Sequence, residues 1–485
     1  MTRRQVEVGA FSVAAALFVV AAWARLHALR ASPFPTGIDG YWYLIQVRAL
    51  LEHGRLQHPS APLVPWLMAA AAHFVDPILA VKTVAALGSA ALVLPAYLIA
   101  KRVSGGAGPA LLGSALVATN AQSFFLCTEF VKQAVGLSVA LGFVAALAAL
   151  LDRPSWARGA LALALLTLCA LTHKTALGLA LLLAAAPVIA HLWRARRRLV
   201  APAAAFLAGG LVLLLSAGAR LPHHLLRGSA DFSFAVLATP GRPSLVLGHE
   251  VALAAGLAVV TLGLAILRKP EGGARLPALA VGFVAFAVLQ GLPWLDVADD
   301  QGLGYRLRLC ACVCLPPCAA FVAARLLAGA KPRLRTAVLA LAIGAVLALR
   351  PWTSDEGVIK AHPAMVEATR RLAGVLPPDT TVVVPERHTA FMAAWYARLG
   401  VRLRPAADSD PSRTFRLLPG AAIRPGLWAA LDELRAHPVA AVAPTVDVHP
   451  LHPNGLVLLA EPTFRYLVGR LPASERQWYE AWVVQ

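Results

Sequence analysis

The stretch FPTGIDGYWYLIQVRALLEHGRLQHPSAPLVPW, residues 34–66, directly follows the first long apolar run and guides the interpretation of the whole chain. Asp39 precedes the amphipathic segment GYWYLIQVRALL, whose first residues include the aromatic side chains of Tyr41, Trp42 and Tyr43. Aromatic residues on an amphipathic helix are typical of the headgroup zone of a membrane. The carboxylate of Asp39 therefore has two interpretations, a helix cap or a functional group at a membrane surface.

Composition places the chain in a membrane. Of its 485 residues, 59% are hydrophobic and 14% are charged, with a mean hydropathy of +0.67, whereas soluble domains usually carry about a quarter charged residues. A membrane core of about 30 Å needs roughly 20 apolar residues per helix. We predict an uncleaved first span and about eleven transmembrane helices in residues 1–350: Val8–Ala24, Ile78–Ala100, Ala107–Thr119, Ala134–Leu151, Ala157–Leu171, Ala176–Trp193, Leu199–Gly218, Val251–Leu267, Leu276–Leu292, Leu309–Leu327 and Thr336–Leu349. Residues 62–75 are too short for an ordinary span and predict an interfacial helix.

Charge predicts the topology. Nearly all of the net charge of +19 comes from residues 1–350, with 30 Lys/Arg against 12 Asp/Glu, while residues 351–485 carry 14 against 13. The basic clusters recur in alternate loops, as the positive-inside rule expects of cytoplasmic loops, and this distribution argues against nucleic acid as a partner. With an odd number of spans, we predict a multi-pass protein of the cytoplasmic (inner) membrane whose residues 351–485 are extracytoplasmic.

The carboxy-terminal residues predict a separate fold. TTVVVP at 380–385 is strand-like, and residues 363–376 and 427–438 have helical periodicity. We predict that residues 351–485 form a small extracytoplasmic α/β domain. It can hold no disulfide because no cysteine follows Cys318. Cys310, Cys312, Cys314 and Cys318 lie in an apolar run and indicate helix packing rather than a metal cluster.

Polar residues at the outer ends of the predicted spans are candidates for function, because ionisable groups near hydrocarbon are costly. They form three groups: Glu129 with Lys132; His173 with Lys174; and Arg306 and Arg308 with Asp296, Asp299 and Asp300. Each group has a structural alternative, namely an i,i+3 ion pair, helix capping with a snorkelling lysine, and a solvated mixed-charge loop. The long external loop at 219–250 is predicted to be a lid or binding loop, and its histidines lack zinc-ligand spacing.

The loop after the first span resembles that of a known family. Asp39, the aromatic residues that follow it, Arg48, Gly54 and Pro62-Leu63 are similar to the first external loop of GT-C glycosyltransferases, especially oligosaccharyltransferase catalytic subunits. The resemblance implies that Asp39 acts on the acceptor or on a metal ion, that Glu129 matches a second acidic position, and that Tyr41, Trp42, Tyr43 and Arg48 belong to an acceptor or lipid loop. The paired acidic residues of metal-dependent members are absent, so Mg²⁺ or Mn²⁺ bound by Asp39 and Glu129 is an option and no cofactor is certain.

We therefore expect a GT-C glycosyltransferase that moves a sugar, by inversion, from a polyprenyl-phosphate or polyprenyl-pyrophosphate donor to a glycan, lipid or protein acceptor on the extracytoplasmic face. Asp39 and Glu129 are the candidate catalytic residues. Arg306, Arg308, Lys174 and His173 are the candidate ligands of the donor phosphate, because guanidinium and ammonium groups match phosphate oxygens. The rival class is a lipid or glycan transporter or flippase, which would concentrate ionisable residues near span centres. The acceptor-asparagine signature of oligosaccharyltransferases does not occur after Arg350, so protein N-glycosylation is not predicted.

Overall fold

The computed structural model describes residues 2–195, 249–267, 276–291, 303–353, 363–376, 380–384, 386–398, 400–402, 410–420, 423–437, 446–449 and 456–484. The chain divides into two compact units. The first, called the membrane unit, comprises Met1–Ala31, Ser60–Leu67 and Lys82–Gly357, and the second, called the sheet unit, comprises Ser32–Pro59, Met68–Val81 and Val358–Gln485. These limits differ from the single cut predicted at Arg350, because residues 32–59 pack with the carboxy-terminal residues.

Up to Leu349, the described residues are mainly helical. In chain order they are α1 (Arg3–Arg30), α2 (Gly40–His53), α3 (Leu63–Ala72), α4 (Pro77–Ala90), α5 (Val93–Ser104), α6 (Ala107–Ala118), α7 (Ala121–Glu129), α8 (Val131–Asp152), α9 (Trp156–Thr172), α10 (Lys174–Ala195), α11 (Glu250–Leu267), α12 (Ala278–Gly291), α13 (Leu303–Arg308), a 3₁₀ turn (Ala311–Cys314), α14 (Leu315–Leu326) and α15 (Pro332–Leu349). The predicted interfacial segment at 62–75 contains the short helix α3.

The polytopic all-α membrane architecture is confirmed. Among the described residues, seven helical segments are long and apolar enough to cross a membrane: Arg4–Arg30, Pro77–Ser104, Val131–Asp152, Lys174–Trp193, Glu250–Leu267, Arg306–Leu326 and Pro332–Leu349. Helices α6 and α7, bent by 43°, give an eighth if they form one span, and α9 and α12 are shorter apolar helices. The predicted span Leu199–Gly218 lies outside the described residues, and the total of eleven stays a prediction.

The bend between α6 and α7 exposes carbonyl groups that a continuous helix would satisfy. Arg25 of α1, fully buried, donates from Nη2 to the carbonyls of Val117 and Ala118 at 3.4 and 3.3 Å. Arg350 donates from Nε to the carbonyl of Thr119 at 3.3 Å. Two guanidinium groups thus lie at the negative end of the α6 dipole, where cations are favoured.

A buried carboxylate balances these cations at the start of α7. Glu250 accepts hydrogen bonds from the Asn120 side chain at 2.9 Å and from the Ala121 backbone N–H at 3.4 Å, and it pairs with Arg350. Asn120 itself caps α7 by accepting from the Ser123 N–H at 2.9 Å. The positive end of the α7 dipole therefore faces an anion. Backbone groups on both sides of the break between α6 and α7 have hydrogen-bond partners.

Small residues allow close helix packing in the membrane unit. A Cβ atom added at Gly113 would lie 2.8 Å from the carbonyl oxygen of Pro316, and one at Gly136 would lie 2.6 Å from the Cβ of Ala176. Helix α6 thus packs tightly on α14, and α8 packs tightly on α10. The apolar run with four cysteines, 310–318, is buried in this core.

The sheet unit contains the predicted α/β fold. Its remaining elements are α16 (Pro363–Val375), β1 (Thr381–Val383), α17 (Arg387–Tyr396), β2 (Gly400–Arg402), a 3₁₀ turn (Pro411–Arg413), β3 (Thr414–Pro419), α18 (Pro425–Ala436), β4 (Val446–His449), β5 (Leu456–Ala460), α19 (Glu461–Gly469) and α20 (Ala473–Val484). The sheet has the order β2-β1-β3-β5-β4; β1 runs parallel to β2 and β3, and β5 runs antiparallel to β3 and β4.

A buried ion pair ties the sheet to α19. Arg416 of β3 donates to both carboxylate oxygens of Glu461 at 2.5 and 3.1 Å, and both side chains are almost fully buried. Burial alone would raise the pKa of Glu461, but hydrogen bonds from Arg416 and Arg465 outweigh it and leave that pKa below its ordinary value. Glu461 is therefore held as the carboxylate.

Candidate functional site

The membrane unit brings together cationic side chains that are far apart in sequence. His173 lies between α9 and α10, and its ring interacts electrostatically with Lys132 of α8, Arg306 of α13 and Lys174 at the start of α10. We call these four residues the cationic group. All three charged members are positive, so the group favours an anion such as phosphate as its ligand.

His173 also has a local structural role. Its backbone is extended, with φ −167° and ψ 143°, so it separates two helices. Its ring Nδ1 accepts a hydrogen bond from the Thr175 backbone N–H at 3.2 Å and lies 2.5 Å from the Thr175 hydroxyl oxygen. The ring thereby caps the start of α10, which is the capping alternative considered for this group. The cap fixes the orientation of the imidazole ring.

Two contacts orient two of the three cations, Lys132 and Arg306. Lys132 donates to the Ser60 hydroxyl oxygen at 2.7 Å. The guanidinium of Arg306 lies over the ring of Phe130, with its Cζ 4.9 Å from the ring centroid. Phe130 sits at the break between α7 and α8, where its φ and ψ of −132° and 58° interrupt the helix. The break therefore places an aromatic face where it can hold the Arg306 side chain.

Arg306 and Arg308 have different surroundings in the structure. They lie two positions apart on α13, so their side chains leave the helix in nearly opposite directions. Arg306 is partly exposed, whereas Arg308 is only 4% exposed. The buried Nε and Nη2 of Arg308 have no hydrogen-bond partner among the described residues. Arg308 is thus an unsatisfied buried cation, while Arg306 belongs to the cationic group; Asp296, Asp299 and Asp300 lie outside the described residues.

Glu129 is the last residue of α7 and is 6% exposed. A buried carboxylate directly before a helix break is a candidate functional group. In the part of the chain that the structure describes, no group of three or more His, Cys, Asp or Glu side chains is placed to hold a metal ion. Binding of Mg²⁺ or Mn²⁺ stays a prediction.

In the sheet unit, Asp39 directly precedes α2. Its side chain makes no capping hydrogen bond to α2, although its backbone carbonyl accepts from the Tyr43 N–H at 3.1 Å. The backbone φ and ψ of −90° and 3° also differ from the extended conformation usual for a cap. The cap interpretation of Asp39 therefore loses its main physical support.

The aromatic residues after Asp39 are more buried than a headgroup location would imply. Tyr41 is fully buried, and its ring makes edge contacts with His388 and Tyr396 of α17 at centroid distances of 5.4 and 5.5 Å. Tyr43 is 2% exposed, and Trp42 lies at 5.1 Å from it in an edge contact. Packing on α17 removes Tyr41 from solvent, which the hydropathy of the loop alone does not indicate.

Arg48 makes contacts that its predicted place in an acceptor or lipid loop did not suggest. Its two terminal nitrogens donate to the carbonyls of Trp395 and Ala394, both at 2.9 Å. Its Cζ also lies 5.2 Å from the centroid of the Trp395 ring. Carbonyls in the last turn of a helix have no partner within the helix, and a cation there is favourable. Arg48 thus caps α17 and attaches α2 to it.

Two solved structures share the architecture of this chain. Crystal structures of ArnT from Cupriavidus metallidurans, one bound to undecaprenyl phosphate and one in the apo state, match it with TM-scores of 0.55 and 0.51. The matches cover 95% and 94% of this chain and 98% of each ArnT chain, at 14% and 15% sequence identity. This chain has the GT-C fold.

The GT-C fold confirms what the resemblance of residues 38–66 implied about architecture. No protein-family model matches the chain, and no curated protein matches it in sequence. The sequence did not single out Gln122, Gln133, Arg25 or Glu250 as partners in polar networks. Each of these residues is polar and lies in or beside an apolar stretch, which was the available signal in the sequence. The sequence could not indicate their partners, because the partners are set by tertiary contacts.

Proposed function

We propose that this chain is a membrane glycosyltransferase that moves a sugar from a polyprenyl-phosphate or polyprenyl-pyrophosphate donor to an acceptor on the extracytoplasmic face. The observation that carries the proposal is the cationic group, in which Lys132, Lys174 and Arg306 lie within electrostatic range of the His173 ring inside a GT-C membrane unit. Cations grouped in this way stabilise a bound phosphate through charge-assisted hydrogen bonds. A lipid-linked phosphate supplies both the negative charge and the membrane location.

The proposed reaction suits this arrangement. A nucleophilic atom of the acceptor attacks the anomeric carbon, the bond from that carbon to the phosphate oxygen breaks, and the phosphate leaves with the electron pair. Such a leaving group needs charge stabilisation more than protonation, and cations supply it. The acceptor's proton needs a base, and we assign that role to Asp39, with Glu129 as the second catalytic carboxylate.

The fold supports the donor class. One ArnT structure holds undecaprenyl phosphate, a polyprenyl phosphate. We apply only the recognition of a lipid phosphate to this chain. The proposal names no particular sugar, and the proposed acceptor is a glycan, a lipid or a protein. Arg308 is a further proposed phosphate ligand, because its unsatisfied guanidinium nitrogens are buried donors that an anion could satisfy.

Donor binding and transfer by the purified full-length protein test this proposal. Labelled polyprenyl-phosphate sugars are titrated in detergent, and transfer to membrane extracts is followed. Loss of a charge-assisted phosphate contact costs about 1.5–3 kcal/mol, so Arg306→Ala should weaken donor affinity about ten- to a hundredfold.

Arg325→Ala is the matched control, because Arg325 also lies over a phenylalanine, Phe321, at 5.2 Å but is outside the cationic group. It should bind donor like the wild type. Equal donor binding by Arg306→Ala and the wild type would remove the phosphate assignment. Movement of the sugar-linked lipid from one leaflet of a vesicle membrane to the other, without cleavage of the bond between sugar and phosphate, would favour a flippase instead.

A further inference from the structure

The backbone that carries Arg306 and Arg308 is not a continuous helix. After α13 ends at Arg308, the Cys310 N–H donates to the Leu307 carbonyl at 2.8 Å and the Val313 N–H donates to the Cys310 carbonyl at 3.1 Å. These are i→i+3 bonds, whereas an α-helix pairs each carbonyl with the N–H four residues later. The carbonyls of Arg306 and Arg308 therefore need other partners.

Gln122 of α7 is inserted into this interruption. Its Nε2 donates to the Arg308 carbonyl at 3.0 Å, and its Oε1 accepts from the Cys312 N–H at 2.9 Å. In a continuous α-helix the Cys312 N–H would donate to the Arg308 carbonyl directly. The fully buried carboxamide thus bridges the two groups of one missing helical hydrogen bond.

Gln133 of α8 makes a hydrogen bond to the carbonyl of Arg306. Its Nε2 donates to the Arg306 carbonyl at 2.6 Å and lies 3.0 Å from the Cys310 sulfur, whose thiol donates to the same carbonyl at 3.3 Å. Gln133 is 1% exposed. Backbone groups at membrane depth have no water to pair with, so a side chain that satisfies them also fixes the local backbone.

Both glutamines come from well-held helices. Helix α7 is capped by Asn120 and anchored by Glu250, and it carries Gln122 in its first turn. Gln133 lies in the first turn of α8, just after Phe130, which holds the Arg306 side chain. The backbone and the side chain of Arg306 are therefore set by neighbouring residues at the α7–α8 break.

We propose that Gln122 and Gln133 are positioning residues, whose carboxamides hold the interrupted turn at residues 306–312 and so fix the backbone from which Arg306 and Arg308, the two proposed donor-phosphate ligands of α13, project. This inference rests on the proposed function. It assigns no contact between either glutamine and the substrate. It predicts that each glutamine acts on donor binding through the arginine whose carbonyl it holds.

A double-mutant cycle tests the inference. Gln133→Met keeps the length and approximate volume of the side chain but removes the donor to the Arg306 carbonyl. It should weaken donor affinity on the order of tenfold in the wild-type background and less than about twofold in the Arg306→Ala background, since coupled residues are non-additive. Gln122→Leu should show the same dependence on Arg308→Ala. Acceptor KM should not change in any of these variants.

Gln290→Leu is the matched control, because Gln290 is also buried, at 4% exposure, but holds neither carbonyl of the interrupted turn. It should leave donor affinity unchanged. If Gln133→Met does not fold, Gln133→Asn, which keeps a carboxamide but is one methylene too short, takes its place. Equal losses in the wild-type and Arg306→Ala backgrounds would overturn the inference in favour of general destabilisation.

The two proposals fail in different ways. A wild-type protein that binds no polyprenyl-phosphate donor would contradict the proposed function. A wild type that binds donor, an Arg306→Ala variant that binds it weakly, and a Gln133→Met variant that binds it normally would contradict only the positioning role.

Discussion

Asp39 gives the sharpest test at the scale of a single residue. Replacement by Asn keeps the shape of the side chain and removes its basicity. Because Asn keeps the size of Asp and no capping hydrogen bond to α2 is lost, Asp39→Asn should melt close to the wild-type temperature. If Asp39 is the base, transfer should fall by about 10²–10⁴-fold while donor binding survives. Glycosyl transfer, donor titration and a melting curve measure the three quantities.

Asp76→Asn is the control for Asp39→Asn. Asp76 does cap a helix, since its Oδ1 accepts from the Ile78 N–H at 2.8 Å and the Leu79 N–H at 3.3 Å. Asn caps about as well as Asp, so this variant should keep both stability and transfer. Wild-type turnover by Asp39→Asn would contradict the base assignment and raise the transporter alternative.

The side chain of Arg308 shows what a sequence can and cannot predict for one residue. Its charge beside an apolar run was enough to single it out. Whether it shares a site with Arg306 depends on the helical register of α13, which turns the two side chains apart. The sequence identifies charged residues whose burial is costly, but the direction of each side chain is set by the backbone that carries it.

Helix α2 and its attachment to α17 belong to the scale of elements. Arg48 holds the last carbonyls of α17 with two charge-assisted hydrogen bonds and stacks on Trp395. Arg48→Ala should destabilise the sheet unit by about 2 kcal/mol, after allowance for the partial exposure of the guanidinium. A lower melting temperature and faster limited proteolysis of the full-length protein in detergent would register the loss.

Arg48→Lys should recover only part of this stability, because an ammonium cannot reproduce the two-pronged geometry. Arg55→Ala is the control, since Arg55 is an exposed arginine in the same segment. If Arg48→Ala keeps wild-type stability but loses transfer, Arg48 acts in acceptor or lipid binding, as the family resemblance implied, rather than as a cap of α17.

Topology is the prediction at the scale of the whole molecule. Alternating basic loops predict that residues near Asp39 and the carboxy-terminal residues are extracytoplasmic. All six native cysteines are buried, so they give little background labelling. Gln57→Cys and Ser474→Cys, both at exposed positions, should react in intact cells with a membrane-impermeant maleimide.

Ala328→Cys lies in the exposed loop between α14 and α15, on the predicted cytoplasmic side. It should react only after the cells are permeabilised. Protection of Gln57→Cys or Ser474→Cys in intact cells, with labelling of Ala328→Cys, would invert the predicted sidedness and remove the proposed extracytoplasmic reaction.

The sequence by itself determined that this is a polytopic membrane protein with a GT-C arrangement and a carboxy-terminal α/β fold. Hydropathy and periodicity are local properties, so runs such as Val8–Ala24 and TTVVVP could be interpreted without any knowledge of their neighbours. The pattern that begins at Asp39 added the family resemblance, because its residue types follow one another within a single loop.

Only the tertiary structure decided which polar residues work together. Lys132, His173 and Arg306 come from three separate parts of the chain, and the two carbonyls held by Gln122 and Gln133 belong to an interruption that hydropathy cannot show. Arg48 likewise caps α17, because its two carbonyl partners lie next to it in the fold although they are almost 350 positions away in the sequence. Hydrogen bonds and charge interactions act over a few ångströms in space, so their partners are fixed by how helices pack rather than by distance along the sequence.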